Sequence, residues 1–161
     1  MNPSDENGQT CLNIDKVEAM ISYIAEHVND LYKVKLMKMM WYADSLAFKE
    51  NGHAISGLVY QHKNMGALPL GHRNIVDLAN VNVKEEWSDN GFEMMHFYPS
   101  SKAKYYVLSE KEKRILDKVI EKFRYYNAKR IIKYMHQEEA YIKTKDDQII
   151  PFSLAKKIRE F

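Results

Sequence analysis

The 161-residue sequence predicts an α+β fold that is mainly α: a compact helical domain with a small antiparallel β-sheet or hairpin inserted between helical groups. Two observations carry this reading. Apolar residues recur at three- and four-residue spacing near both ends of the chain, the spacing of one helix face. Between them, residues 81–99 switch to period two around Asn90-Gly91, a strong hairpin signal.

Residues 1–12 are rich in Asn, Ser, Asp and Gly, show no period, and are expected to form a flexible tail. Residues 13–161 are expected to form one domain. Asn13 is placed to cap a first helix with Ile14, Val17, Ile21, Ile24, Ala25 and Val28 on one face, ending near Asn29 or Asp30. A second helix is predicted from Lys35 to Glu50. Trp41, Tyr42 and Phe48 widen its stripe of Leu36, Met39, Met40, Ala43, Leu46 and Ala47, as expected of the central helix. Asn51-Gly52 closes it, because glycine turns left-handed without a Cβ penalty.

Ile55–Gln61 reads as a short strand, and Leu68–Ala79 as a helix with Pro69 in its first turn. Val83, Glu85 and Trp87 form the first arm of the hairpin, and Phe92, Met94, His96 and Tyr98 the second. Tyr105–Leu108 is expected to add a third strand. Ser109 and Glu112 form a capping box that opens a helix bearing Ile115, Leu116, Val119, Ile120 and Phe123. Asn127 caps the next helix, and Pro151 precedes a last short one.

Formal net charge is only +2, so no global field points to nucleic acid or membrane. The distribution is uneven: residues 1–101 carry 8 basic against 13 acidic side chains, and residues 102–161 carry 16 against 9. The simplest expectation is attraction between the halves within one fold. Cys11 is the single cysteine, which rules out an intrachain disulfide. With no signal-peptide pattern and no apolar run long enough for a bilayer, the cytoplasm is the expected compartment.

A search for chemistry returns little. The six histidines, His27, His53, His62, His72, His96 and His136, form no HExxH motif, and the chain has no CxxC, GxSxG or phosphate-binding glycine loop. His136 followed by Glu138 and Glu139 is the nearest approach to a ligand cluster. A helix-end histidine is the simpler reading there. A hydrolase centred on His136 and Glu139 is kept as an alternative, as is phosphate binding by the basic-aromatic run from Lys122 to Tyr134.

Three blocks carry a resemblance. The first is KVKLMKMMWYAD, Lys33 to Asp44. The second is Ile55-Ser56-Gly57-Leu58-Val59-Tyr60 with Met65-Gly66-Ala67-Leu68-Pro69 behind it. The third is LSEKEKRILDKVIEKF, Leu108 to Phe123, followed by a stretch ending in MHQEE, with Tyr141 and Thr144 beyond. In this order the blocks resemble the Panacea (SocA-like) antitoxin domain over about residues 13–161. They match its KLxKLLYYAD helix, its SITGLxY strand with a GPVP turn, and its LSEEExxxLDxVxxKF and SHxEExxYxxT segments. One departure is the turn, which reads GALP here, Gly66 to Pro69. Many relatives also carry an N-terminal helix-turn-helix, a pattern this chain does not show.

The resemblance implies a non-enzymatic antitoxin of a prophage-associated toxin-antitoxin system. Such a protein binds a cognate toxin directly, with delivery to a protease such as a ClpXP-type complex as an extension of that role. It implies no cofactor, no metal and no membrane partner. By analogy the toxin-contacting residues are Lys35, Lys38 and Asp44 as exposed positions of the central helix. The turn contributes Tyr60, His62, Met65, Gly66, Leu68 and Pro69, and His136 and Glu139 join them. The alternative is a nucleic-acid-binding transcriptional regulator using the basic C-terminal half, a role the missing helix-turn-helix disfavours.

Overall fold

A computed structural model describes residues 2–161. It is mainly helical, with two small antiparallel hairpins. In chain order the elements are α1 (Ile14–His27), α2 (Lys33–Asn51), β1 (Tyr60–Lys63), β2 (Gly66–Pro69), β3 (Asn82–Trp87), β4 (Glu93–Tyr98), α3 (Glu110–Phe123), α4 (Ala128–Met135), α5 (Glu139–Ile142) and α6 (Phe152–Ala155). Strand β1 pairs with β2, and β3 with β4, as two separate sheets.

Helix α2 is the hub. Leu36, Met39, Met40, Trp41, Tyr42 and Ala43 are buried, as the widened stripe predicts, but so are Lys35, Lys38, Asp44 and Ser45. Both hairpins and helices α1, α3, α4 and α6 pack on α2, so nearly every side of it is covered. The predicted caps form: Asn13 accepts from Lys16 N, Ser109 and Glu112 close their box, Asn127 accepts from Arg130 N, and Gly52 ends α2 at φ 79°.

Several expectations are corrected. The stretch from Ile55 is extended into a strand only from Tyr60. The N–H groups of Ile55 and Ser56 are taken by the Asp44 carboxylate, and Gly57 turns at φ 78° against the Cys11 backbone. The helix expected at Leu68–Ala79 does not form. Gly66–Pro69 pairs with β1 instead, Gly71 turns left-handed, and His72–Asp77 is a 3-10 turn. Tyr105–Val107 is likewise a 3-10 turn, anchored by a 2.7 Å hydrogen bond between the Tyr105 and Ser22 hydroxyls.

The expected N-terminal tail docks on the domain over its described residues; Met1 lies outside them. Asn7 is fully buried, its side chain accepting from Ser4 N at 2.8 Å and donating to Asn2 O at 2.9 Å. Asp5 supplies what Pro151 cannot at the start of α6. Its backbone carbonyl accepts from Phe152 N at 2.9 Å, and its carboxylate accepts from Ser153 N at 2.8 Å and Ser153 Oγ at 2.7 Å. The two halves meet through ion pairs such as Lys118–Glu50 at 2.9 Å and Lys16–Glu112 at 2.8 Å. Among the described residues, no helix is long and apolar enough to cross a membrane.

Candidate partner-binding surface

Most of the residues singled out in the sequence lie in the β1–β2 hairpin and the helix beneath it; Glu139, which opens α5 and pairs with Lys143, does not. Three of them occupy a different place from the one expected. Lys35, Lys38 and Asp44 are not exposed positions of α2: they are 6%, 0% and 0% exposed. Lys38 and Asp44 hold the surface from below, and Lys35 lies apart from it at the end of α3.

Asp44 is the root of the hairpin. Its Oδ1 accepts from the backbone N–H of Ile55 and of Ser56, both at 2.9 Å. Its Oδ2 accepts from the Ser56 hydroxyl at 2.6 Å and the Tyr60 hydroxyl at 2.7 Å. Four donors satisfy the lone-pair positions of one carboxylate. Burial pushes its pKa up, and these hydrogen bonds oppose that shift. Tyr60 is itself fully buried, so it orients β1 and offers no contact surface.

Lys38 passes under the other strand. Its Nζ donates to Ala67 O at 3.2 Å, and desolvation lowers its pKa to about 8. Gly66, at φ 111°, lies directly over it: a Cβ there would stand 2.7 Å from both Lys38 Cε and Met135 Sδ. Glycine at this position lets β2 approach both side chains. Pro69 and Gly66 are buried, Leu68 is partly buried, and Met65, at the tip after Asn64, is 49% exposed.

The outer wall is a stack of three rings. Tyr141 lies between His62, 3.8 Å away at 14°, and His136, 4.4 Å away at 11°. The Tyr141 hydroxyl donates to Lys63 O, which ties α5 to the hairpin. Thr144 gives its hydroxyl proton to Ala140 O at 2.7 Å, so His62 Nδ1 is the donor in the 2.7 Å contact with Thr144 Oγ1. Burial lowers the His62 pKa, with Asp146 opposing. A short irregular strand runs along β1: His62 N donates to Gln148 O, and Ile150 N to Tyr60 O, both at 2.9 Å.

His136 and Glu139 do not share a helix face. His136 caps the end of α4, and Glu139 opens α5, paired with Lys143. Glu138, noted in the sequence only beside His136 and Glu139 and not among the expected contacts, has a structural place of its own. It is fully buried, accepts from the Tyr42 hydroxyl at 2.8 Å and pairs with Arg159 Nε at 2.9 Å. Its signal in the sequence was only a second acid beside Glu139. Lys35 donates to Arg124 O at 2.7 Å, at the end of α3, and lines a cleft of 480 Å³ with Tyr32, Tyr126 and Asn127. The basic-aromatic run stays at the surface, with Arg124, Tyr125, Lys129, Arg130 and Lys133 exposed, and part of it is self-paired: Lys122 lies over the Tyr134 ring and Arg130 over Tyr126. Among the described residues, no three His, Cys, Asp or Glu side chains are grouped to hold a metal ion.

The arrangement is a rigid hairpin with a half-exposed methionine tip and an aromatic flank, planted on a buried polar root. A family model described as "Antitoxin SocA-like, Panacea domain" matches residues 36–141, more than half of the chain. The match runs from the first apolar residue of the α2 stripe to the tyrosine of the ring stack. No curated protein and no solved structure matches the chain significantly. The chain therefore belongs to the SocA-like, Panacea-domain antitoxin family.

Proposed function

We propose that this protein neutralises a cognate toxin in the cytoplasm by binding it directly, and that the β1–β2 hairpin face is part of the contact. One observation supports this reading most. Met65 is presented to solvent by a hairpin whose root is held by Asp44 and Lys38, so little ordering entropy is lost on docking. Leu68 and the His62–Tyr141–His136 stack flank that hairpin, Tyr60, Gly66, Pro69, Lys38 and Asp44 serve it from within, and Lys35 and Glu139 have their partners elsewhere, at Arg124 O and Lys143. Docking of this kind requires no covalent step. Transfer of the bound toxin to a ClpXP-type protease is the finer form of the same role.

Co-expression with the protein encoded by the adjacent reading frame tests the proposal. The expected result is rescue of growth and co-purification of the pair, both weakened by Met65→Glu. A toxin half-life that shortens only when antitoxin and protease are both present identifies the adaptor form. Toxicity unchanged by co-expression, with no complex recovered, overturns the proposal.

A further inference from the structure

The β3–β4 hairpin has a root and a tip of opposite character. At the root, Phe97 is 2% exposed, pairs with Val83 across the strands, and donates its N–H to Leu31 O at 2.8 Å. His96 is held between the Tyr32 and Tyr98 rings and contacts Glu86 Oε2 at 2.8 Å. The face that carries Phe97, Val83 and Met95 continues outward to Trp87, since residues two apart on a strand share a side. There the cover ends: Trp87 is 67% exposed and Phe92 70%.

The tip is well formed despite this exposure. Ser88 N donates to Phe92 O at 2.8 Å, Gly91 N to Ser88 O at 2.9 Å, and Phe92 N to Ser88 Oγ at 3.0 Å. Two large aromatic side chains are thus held in water by an ordered turn, a feature that marks interaction sites. Their setting is acidic. Glu85 and Glu93 share the strand face of Trp87, Asp89 sits in the turn, and Lys84, the one lysine or arginine of this hairpin, is on the other face over the Tyr98 ring. Among the described residues, Glu85, Asp89 and Glu93 have no salt-bridge partner.

We infer that the β3–β4 tip is a second docking arm, and that it takes a basic patch of the toxin with apolar surface at its centre. The inference rests on the antitoxin reading above and adds the chemistry of the partner. Trp87 and Phe92 fill the apolar centre. The unpaired carboxylates steer the approach and exclude acidic surfaces. Both hairpins contact α2, so the two arms share one rigid support.

The test uses the full chain and the purified protein encoded by the adjacent reading frame, with affinity measured at low and high salt. Wild-type affinity is expected to fall with salt. Trp87→Ser/Phe92→Ser is expected to weaken binding about thirtyfold or more, the range of central aromatic anchors. Glu85→Lys/Asp89→Lys/Glu93→Lys is expected to slow association and remove the salt dependence. Trp41 is 1% exposed, so its blue-shifted emission reports that the serine variant remains folded. If wild type binds and both folded variants bind within threefold of it, the tip inference is overturned while the antitoxin reading stands. If wild type does not bind, both fall.

Discussion

The Tyr60 hydroxyl meets Asp44 Oδ2 at 2.7 Å and so fastens the first strand of a surface hairpin to the centre of the most buried helix. Asp44→Asn replaces one acceptor oxygen by an NH2 group that faces existing donors. It is expected to lower unfolding free energy by about 2–4 kcal/mol, and Tyr60→Phe by about 1–2 kcal/mol. Urea denaturation measures both, and a loss below about 0.5 kcal/mol for Asp44→Asn would show that the carboxylate does not organise the hairpin.

Stability should peak on the alkaline side. Burial holds Lys35 and Lys38 at a folded-state pKa of about 8. From there up to the ordinary lysine range the unfolded chain keeps protons that the folded chain has released, so stability rises with pH. Above about pH 10 the tyrosines reverse the trend. Tyr42 and Tyr60 are raised by burial and then by Glu138 and Asp44 respectively, so they ionise first in the unfolded chain. A melting temperature that rises between about pH 8 and 10 and then falls is the expected profile. Lys38→Met should raise stability at pH 7 and flatten the rising limb. A variant less stable than wild type at pH 7 would contradict this account.

Gly66→Ala places a methyl group against Lys38 and Met135 at a backbone angle that side chains disfavour. The expected cost is about 1–3 kcal/mol. Because the displaced strand carries the turn to Met65, weaker toxin binding should accompany it. Calorimetric melting and a binding titration on one preparation separate the two effects.

Asp5→Ala removes two hydrogen bonds at the start of α6. A loss of about 1 kcal/mol is expected, the size of an ordinary N-cap deletion. Hydrogen exchange should show faster exchange at Ser153 while the α2 amides remain protected. Unchanged exchange there would mean that the N-terminal segment does not stabilise the C-terminal helix.

What sequence reading recovered and missed follows from the range of each interaction. The turn at Ser88–Gly91, the Ser109 capping box and the Asn127 cap depend on residues within four positions, and all form as expected. Asp44 reads as a solvated acid because its donors arrive 11 to 16 positions later, and the same donors delay β1 to Tyr60. Lys38 lies off the apolar stripe of α2. A stripe predicts one buried side, and α2 is enclosed on nearly all sides by elements distant in the chain. The hairpin face is visible in the sequence as a cluster of residues, but which of them reach solvent is decided by that enclosure.

The Asp5–Ser153 clasp orders events in time. Residue 5 leaves the ribosome 148 positions ahead of its partner. Until residue 153 emerges, the nascent chain can fold α2 and both hairpins while Asp5 stays without this partner. The clasp closes only once residue 153 has been made, so a product terminated before it would carry both docking hairpins with Asp5 still unfastened.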